Sequence, residues 1–187
     1  MDTVTTLPRG PLRVEDLEAL PDDGHRYELV DGTLIVSPGP VVRHQMVVSR
    51  LLRVLADACP SEFEVLVAPL DVVLAEDTVV QPDVVVARRT DLVGAKLTAL
   101  PVLAVEVLSP STRLVDLNLK LARYERAGVP VYWVIDPDEL SLRAWELREG
   151  AYMKTAFVSR DETWAASVPY AVSLRPDQLA DGPLNLS

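Results

Sequence analysis

Two acidic residues lie inside segments of the sequence that are otherwise apolar. Asp83 opens the valine run 84–86, and Glu106 lies near the middle of 102–108. Both segments are typical of buried strands, where a charged carboxylate is costly unless it is paired, protonated or bound to a metal. Lys120 follows in a predicted helix. Two such carboxylates and a lysine indicate a site for a divalent cation and a phosphate, which is the layout of a metal-dependent nuclease.

Each of these residues also has a purely structural interpretation. Asp83 is alternatively a strand-edge acid satisfied by the backbone or by a nearby arginine, and Glu106 is alternatively part of a structural ion pair. Lys120 can form an i,i+4 pair with Asp116, worth about 0.3–0.5 kcal/mol. One face of the predicted helix is polar and can turn toward the two carboxylates. The residues on that face are Arg113, Asp116, Lys120 and Tyr124.

The elements that must position these residues follow from turn signals and periodicity. Asp31-Gly32 between two apolar runs predicts a hairpin over 27–36, because a type I′ turn needs positive φ at both central residues. Apolar spacing predicts a helix over 41–58, with His44 on its inward stripe. The other predicted strands are 63–75, 80–87, 102–108, 131–135, 140–147 and 151–158. A second long helix is predicted over 113–127, and short helices are predicted near 14–19 and 176–179.

The second helix has clear end signals. Residues 109–112 offer N-cap side chains, and Gly128 followed by Pro130 closes the helix. Strand 102–108, helix 113–127 and strand 131–135 therefore form a βαβ unit, which places the two strands parallel. We expect one α/β domain with a mixed sheet flanked by helices, an N-terminal β-hairpin and a C-terminal β-meander. Its core spans about 12–158, with 1–11 and 180–187 loosely ordered.

Composition limits the classes of protein that fit. The chain has 187 residues, 49% of them apolar and 25% charged, which is ordinary for a globular domain. It has no apolar run long enough for a membrane span, no basic-then-apolar leader, and only one cysteine, Cys59. These features predict a cytoplasmic protein with no internal disulfide, no zinc cluster and no membrane contact.

The net charge of −10 argues against non-specific binding to nucleic acid. The acids are concentrated at the two ends, however, and residues 32–135 carry a net charge of only −1. Ten arginines and lysines lie in that central segment, so a locally basic surface is compatible with the sequence, although ordinary solvated faces also explain them.

The chain resembles the Uma-two family of the PD-(D/E)XK restriction-endonuclease-like superfamily. The likeness covers roughly 12–147, and its motifs are specific only in combination. The first part comprises Arg26-Tyr27-Glu28-Leu29-Val30-Asp31-Gly32, His44 and Gln81-Pro82-Asp83-Val84. The second part comprises 105–112, Asp116, Lys120, Tyr124, 127–130 and 132–136.

The resemblance implies a role for each matching position. Asp83 and Glu106 would hold Mg²⁺ or Mn²⁺ together with the backbone carbonyl of Val107. The superfamily usually has a lysine two residues after the glutamate, but here that position is Leu108, and Lys120 would take its place from the helix. Further residues would support this centre. They are Glu28 as an additional acid, with His44, Asp116 and Tyr124 around the site.

Three functional hypotheses remain open at this point. The first is an endonuclease that hydrolyses DNA, most simply double-stranded DNA, through a metal-activated water. The second is a catalytically inactive module that keeps the fold and binds nucleic acid or a protein partner, as the leucine at 108 and the acidic balance allow. The third is hydrolysis of RNA or another phosphodiester. The resemblance and apolar C-terminal strands with Trp145 and Trp164 also predict a homodimer.

Overall fold

The chain forms an α/β fold around one large mixed sheet, as the sequence predicts. The computed structural model describes residues 10–20, 24–109 and 113–181. The strands are β1 Arg26–Val30, β2 Thr33–Ser37, β3 Phe63–Val67, β4 Val72–Ala75, β5 Thr78–Val80, β6 Val84–Arg88, β7 Leu103–Val107, β8 Val131–Asp136, β9 Ser141–Arg148, β10 Ala151–Ser159, β11 Trp164–Ala166 and β12 Val172–Leu174. The α-helices are α1 Val14–Leu17, α2 Val42–Ala58, α3 Leu121–Ala127 and α4 Pro176–Ala180.

The large sheet has six strands in the order β10-β9-β8-β7-β6-β3, with β7 and β8 parallel and the other neighbours antiparallel. The connection from β7 to β8 runs through the helical segment before residue 128, so the predicted βαβ unit is confirmed. A second sheet, β2-β1-β5-β4, contains the predicted hairpin. Asp31 and Gly32 have φ of 51° and 72°, as a type I′ turn requires.

Alternating side chains on the large sheet build two hydrophobic layers. On one face, Val84, Val86 and Val105 join α2 in the main core. On the other face, Val85 and Ala104 join the second sheet and α3. Residues that precede β6 or end β7 therefore lie between helices and strands from both layers, where side chains from several elements can meet.

The structure refines two of the predicted elements and adds one that was not predicted. The single strand expected over 63–75 is two strands, β3 and β4, which belong to different sheets and are separated at Pro69. The helix expected over 113–127 is helical over that whole range, but its turns over Val115–Lys120, before α3, are π-helical. The hairpin of β11 and β12 was not predicted, because its strands have only three residues each.

The main core extends beyond residue 158, the limit expected from the sequence. Tyr170, Leu174 and Leu179 are buried members of this core. Trp164 packs edge-on against Trp133, and Trp145 stacks on Tyr132, so both tryptophans on which the homodimer prediction rested contact the core of their own chain. The predicted loosely ordered ends, and residues 110–112 of the proposed N-cap, lie almost wholly outside the described residues. Within the described ranges, no helix is long and apolar enough to span a membrane.

Candidate active site

The register of β6 and β7 places Asp83 and Glu106 opposite each other. Val84 pairs with Val105 across the antiparallel ladder, so the next position along each strand is Asp83 on one side and Glu106 on the other. Their side chains project from the same sheet face, where directly opposed Cβ atoms are about 5 Å apart. Like charges in such a pair repel each other. The surroundings must therefore supply protons or cations to both carboxylates.

Asp83 is held by three donors from three different elements. Arg26 of β1 donates from Nη1 to Oδ1 at 2.9 Å, and the Val107 backbone N–H donates to Oδ2 at 2.8 Å. His44 Nε2 of α2 lies 3.1 Å from the same Oδ2. Burial opposes ionisation of Asp83, but the hydrogen bond of His44 and the charge of Arg26 outweigh it and lower the pKa to about 2. Asp83 is thus a fixed, ionised carboxylate at neutral pH.

Glu106 and Lys120 form the second half of the site. Lys120 Nζ and the Tyr124 hydroxyl both donate to Glu106 Oε1, each at 3.0 Å. Lys120 Nζ is also 2.8 Å from Glu28 Oε1 and 3.4 Å from Asp116 Oδ1. The side chains of Lys120, Glu106 and Glu28 are no more than 3% exposed. One buried ammonium is therefore shared by three carboxylates.

Glu28 reaches this cluster from the second sheet. Its Oε1 accepts the Gln81 backbone N–H at 2.7 Å, just before the strand that begins at Val84. Arg26 and Glu28 are two residues apart on β1, so both side chains leave the same face of that strand. The small sheet thereby delivers one cation to Asp83 and one carboxylate to Lys120.

The π-helix explains how a lysine on a helix reaches a strand carboxylate. Asp116 and Lys120 both lie in Val115–Lys120 and are both buried. The wider turn of a π-helix shifts the angular positions of side chains relative to an α-helix, and such turns often occur at functional sites. The carbonyl of Asp116 accepts the buried Tyr132 hydroxyl at 2.9 Å, which fixes this turn against β8.

Burial and the neighbouring charges act differently on the pKa values of Glu106 and Lys120. Burial raises the pKa of Glu106 well above its ordinary value; Lys120 opposes this rise, and the other carboxylates add to it. Burial alone would lower the pKa of Lys120, but the carboxylates around it, Glu106 first, raise that pKa. Lys120 thus remains an ammonium, and burial favours the protonated form of Glu106. A further cation at this point would relieve the excess of acidic groups.

A single cavity of about 190 Å³ connects these residues. Its wall includes carboxylates from three strand regions, and the cavity is too small for a whole nucleotide but suits an ion, waters and a phosphate group. Val107 lines it while its side chain packs in the main core, so the main chain of Val107 is the part that can face the cavity. The acidic residues of the wall are Glu28, Asp83, Glu106 and Asp116.

The donor set fits a hard divalent cation. Carboxylate and carbonyl oxygens are the ligands that Mg²⁺ and Mn²⁺ prefer, and Mg²⁺ is commonly bound through one or two carboxylates with waters and phosphate completing the octahedron. Across the described ranges 10–20, 24–109 and 113–181, no group of three or more histidine, cysteine, aspartate or glutamate side chains forms a metal cage. Of the chain's own atoms, the oxygens of Asp83, Glu106 and the Val107 carbonyl are the ones that could contact a cation in this cavity, and water and substrate would have to supply the other ligands.

The structure brings together every site residue named from the sequence, with two corrections around it. Arg113 shares the predicted polar face but pairs with Asp136 and Glu139 outside the cluster. Arg26, which belongs to the first part of the family resemblance but was given no role there, has a side chain that is 20% exposed and binds Asp83. The alternation of Arg26 with Glu28 along β1 was the signal that could have identified it.

Comparisons with known proteins concern the family and the fold of the chain. The family model Uma2, described as "Putative restriction endonuclease", matches residues 14–177. A solved structure from Anabaena variabilis ATCC 29413, titled as a putative nuclease belonging to DUF820, is similar in fold with a TM-score of 0.76. It is 19% identical, and the match covers 90% of this chain and 97% of that chain. A comparison with curated proteins found no match.

Proposed function

Because the chain belongs to the Uma2 family, described as "Putative restriction endonuclease", we propose that it is a metal-dependent endonuclease that hydrolyses DNA phosphodiester bonds. The observation that carries this proposal is the convergence of Asp83, Glu106, Glu28 and Lys120 on one small cavity. Hydrolysis joins a water oxygen to phosphorus and breaks one ester P–O bond, and the departing oxygen takes up a proton. The double-stranded form of DNA is the substrate that we propose.

Different residues of the chain would have different roles in this hydrolysis. Asp83, Glu106 and the Val107 carbonyl would hold the cation, which when bound neutralises phosphate charge and lowers the pKa of coordinated water. Arg26 and His44 fix the orientation of Asp83, and Tyr124 fixes Glu106.

Lys120 contributes a second positive charge at the cavity, beside that of Arg26. Its ammonium is buried and already oriented by Glu28 and Glu106. A phosphate oxygen would have to replace one of the three carboxylate contacts of the ammonium, and the 3.4 Å contact with Asp116 is the longest of them. A hydrogen bond to that oxygen would favour the more highly charged transition state. Asp116 and Glu28 keep that ammonium protonated and in place.

The test is cleavage of supercoiled plasmid with Mg²⁺ or Mn²⁺, comparing wild type with Glu106→Gln. The substitution preserves size and removes the negative charge, so we expect loss of cleavage with the fold retained. Glu146→Gln on β9 is the control, because Glu146 pairs with Arg148 and does not line the cavity. EDTA should abolish wild-type cleavage. Equal cleavage by wild type and Glu106→Gln would refute the assignment.

A second candidate is a nuclease-fold module that binds without cleaving. It is favoured by the pairing of central basic residues with acids, which reduces the positive surface available to DNA. The paired residues are Arg43, Arg89, Lys96, Arg113, Lys120 and Arg123. Metal-independent binding with no hydrolysis under any divalent cation would favour this candidate.

Self-association remains a separate expectation. The resemblance to restriction-endonuclease-like proteins is its remaining support, because Trp145 and Trp164 are engaged within the chain. Light scattering at micromolar concentration measures it directly: a dimer mass agrees with the expectation, and a monomer mass contradicts it.

A further inference from the structure

Arg43 lies in the first turn of α2, between two residues that line the carboxylate cavity, Val41 and His44. Its guanidinium reaches two separate segments of the chain. Nη1 is 3.4 Å from Asp138 Oδ1 in the turn after β8, and Nη2 is 3.4 Å from Asp181 Oδ1 just after α4. The side chain of Arg43 is 45% exposed. It therefore carries a solvent-accessible positive charge from the wall of the cavity toward the end of β8.

The turn after β8 lies at the same edge of the large sheet as the cavity. β7 and β8 are parallel, so their carboxyl ends share one edge. Val107 at the end of β7 lines the cavity, and the next residue, Leu108, donates its N–H to the Ile135 carbonyl of β8 at 2.8 Å. Asp138 follows Ile135 by three residues. The ion pair with Asp138 thus holds Arg43 at the edge of the sheet that carries the carboxylates.

Helix stability does not explain a basic residue at this position. The first turn of a helix carries the positive end of its dipole, where a cation is unfavourable. In α2 that described turn has no acidic residue, and the N-cap Val41 makes no side-chain cap hydrogen bond. The carboxylates of Asp138 and Asp181 are 67% and 61% exposed, and ion pairs of this kind stabilise a protein little. A positive charge here would, however, attract an anion that approaches the cavity.

Arg113, at the same edge of the sheet, shows the contrast with a structurally committed arginine. It pairs with Asp136, whose side chain is 1% exposed, and with Glu139 at 2.6 Å. Asp136 also accepts the backbone N–H groups of Asp138 and Glu139 at 3.1 and 3.0 Å. These contacts with a buried acid fix Arg113, whereas two 3.4 Å contacts with exposed acids leave Arg43 free to exchange partners.

We propose that Arg43 contacts a backbone phosphate of DNA next to the phosphate in the cavity, and that Asp138 and Asp181 compete with DNA for this arginine. A DNA strand carries one phosphate for about every 3.4 Å of helix axis, so neighbouring phosphates pass along the rim of the cavity. A guanidinium can bind one phosphate through two parallel hydrogen bonds, an arrangement that two carboxylates from separate segments do not provide. The proposal rests on the proposed function, since the phosphate in the cavity positions the DNA.

The test is the affinity for a fluorescently labelled DNA duplex, measured by anisotropy at low salt in EDTA, so that no cleavage is needed. The acid-removal variant carries Asp138→Asn and Asp181→Asn, and a third protein adds Arg43→Gln to both changes. All three side chains are exposed, and glutamine is a good helix former, so the variants should fold. Thermal unfolding of each protein checks this.

The matched control removes the same charge at the opposite end of the sheet. It carries Glu146→Gln and Glu149→Gln. Glu146 pairs with Val131 at the start of β8 and, like Asp138, forms an ion pair with an arginine, in this case Arg148 at 2.9 Å. The control and the acid-removal variant therefore have the same net charge and differ in where the charge was removed.

We expect the acid-removal variant to bind the duplex about fivefold or more tightly than wild type, because two ion pairs no longer compete with phosphate. The control should gain less than about twofold, since charges beyond a Debye length of about 10 Å are largely screened. Adding Arg43→Gln should cancel the gain of the acid-removal variant. No gain in that variant, an equal gain in the control, or a gain that survives Arg43→Gln would overturn the proposal.

Plasmid cleavage with Mg²⁺, measured in parallel on the same proteins, separates this proposal from the nuclease assignment. An Arg43-dependent gain in affinity without cleavage refutes only the nuclease assignment and supports the contact. Cleavage by wild type without any gain in affinity refutes only the contact of Arg43 with DNA.

Discussion

Replacing Lys120 by methionine should destabilise the protein strongly, because one buried ammonium serves three carboxylates. Its Nζ lies 2.8 Å from Glu28, 3.0 Å from Glu106 and 3.4 Å from Asp116, and the Lys120 side chain is 3% exposed. Removing one partner of a buried ion pair typically costs about 3–5 kcal/mol, since the other charge is left uncompensated. Methionine is as good a helix former as lysine, so helix propensity contributes little.

Urea denaturation at pH 7.5 measures this effect. With a slope of about 2 kcal/mol per molar urea, the predicted loss lowers the midpoint by about 2 M. Lys154→Met is the control, because Lys154 is exposed on β10; it should change the free energy of unfolding by about 0.5 kcal/mol or less.

A double change tests the reason for the loss. Lys120→Met combined with Glu106→Gln removes one uncompensated charge together with its partner. The loss in free energy of unfolding of the double variant should therefore be smaller, by about 1 kcal/mol or more, than the sum of the losses of the two single variants. The loss in Lys120→Met should also shrink on acidification, because the raised pKa of Glu106 lets it take up a proton. A loss below about 1 kcal/mol, or strict additivity in the double variant, would refute the shared-ammonium account.

Three further predictions concern the surroundings of the site. Asp83→Asn should lower the free energy of unfolding by about 2 kcal/mol near neutral pH. Because the pKa of Asp83 in the folded state is lowered to about 2, its contribution to stability is complete above about pH 4 and is lost as the pH falls through 2. The urea unfolding curves of wild type and Asp83→Asn should therefore converge in acid. Tyr124→Phe should cost about 1–2 kcal/mol by urea denaturation, since a buried carboxylate oxygen loses a donor at 3.0 Å; an unchanged midpoint would contradict this. Gly32→Ala should lower the thermal unfolding midpoint, because φ of Gly32 is +72° and an added Cβ would lie 2.6 Å from Pro11 Cβ. Gly39→Ala is the control: its added Cβ meets no atom within 4 Å, so the midpoint should change much less.

The two strand carboxylates could be predicted because a charge inside an apolar strand is unusual in itself. That Asp83 and Glu106 lie on one face follows from the observed register of β6 and β7, which alternation within either strand does not determine. Lys120 came from the family resemblance, and its chemistry agrees with the observed cluster. The hairpin at Asp31-Gly32 was equally accessible, since only a few residue pairs adopt positive φ at two successive positions.

Other features could not be predicted, for physical reasons that differ from case to case. A π-helix over six residues changes the helical period too little to be seen in the pattern of apolar residues, so the turn that places Asp116 and Lys120 was not expected. The division of 63–75 into β3 and β4 depends on tertiary pairing, because both strands are rich in valine and leucine. Arg26 was not predicted to contact Asp83, because an arginine considered alone is most often a surface residue.

Calorimetric titration with Mn²⁺ shows whether the carboxylate cavity holds a divalent cation. Wild type should be compared with the double change Asp83→Asn and Glu106→Gln, each protein alone and then with an uncleavable DNA duplex that can complete the coordination. Wild type should bind Mn²⁺, and more tightly with the duplex, whereas the double variant should not bind it. Equal binding by both proteins, or no binding by wild type even with the duplex, would contradict this expectation.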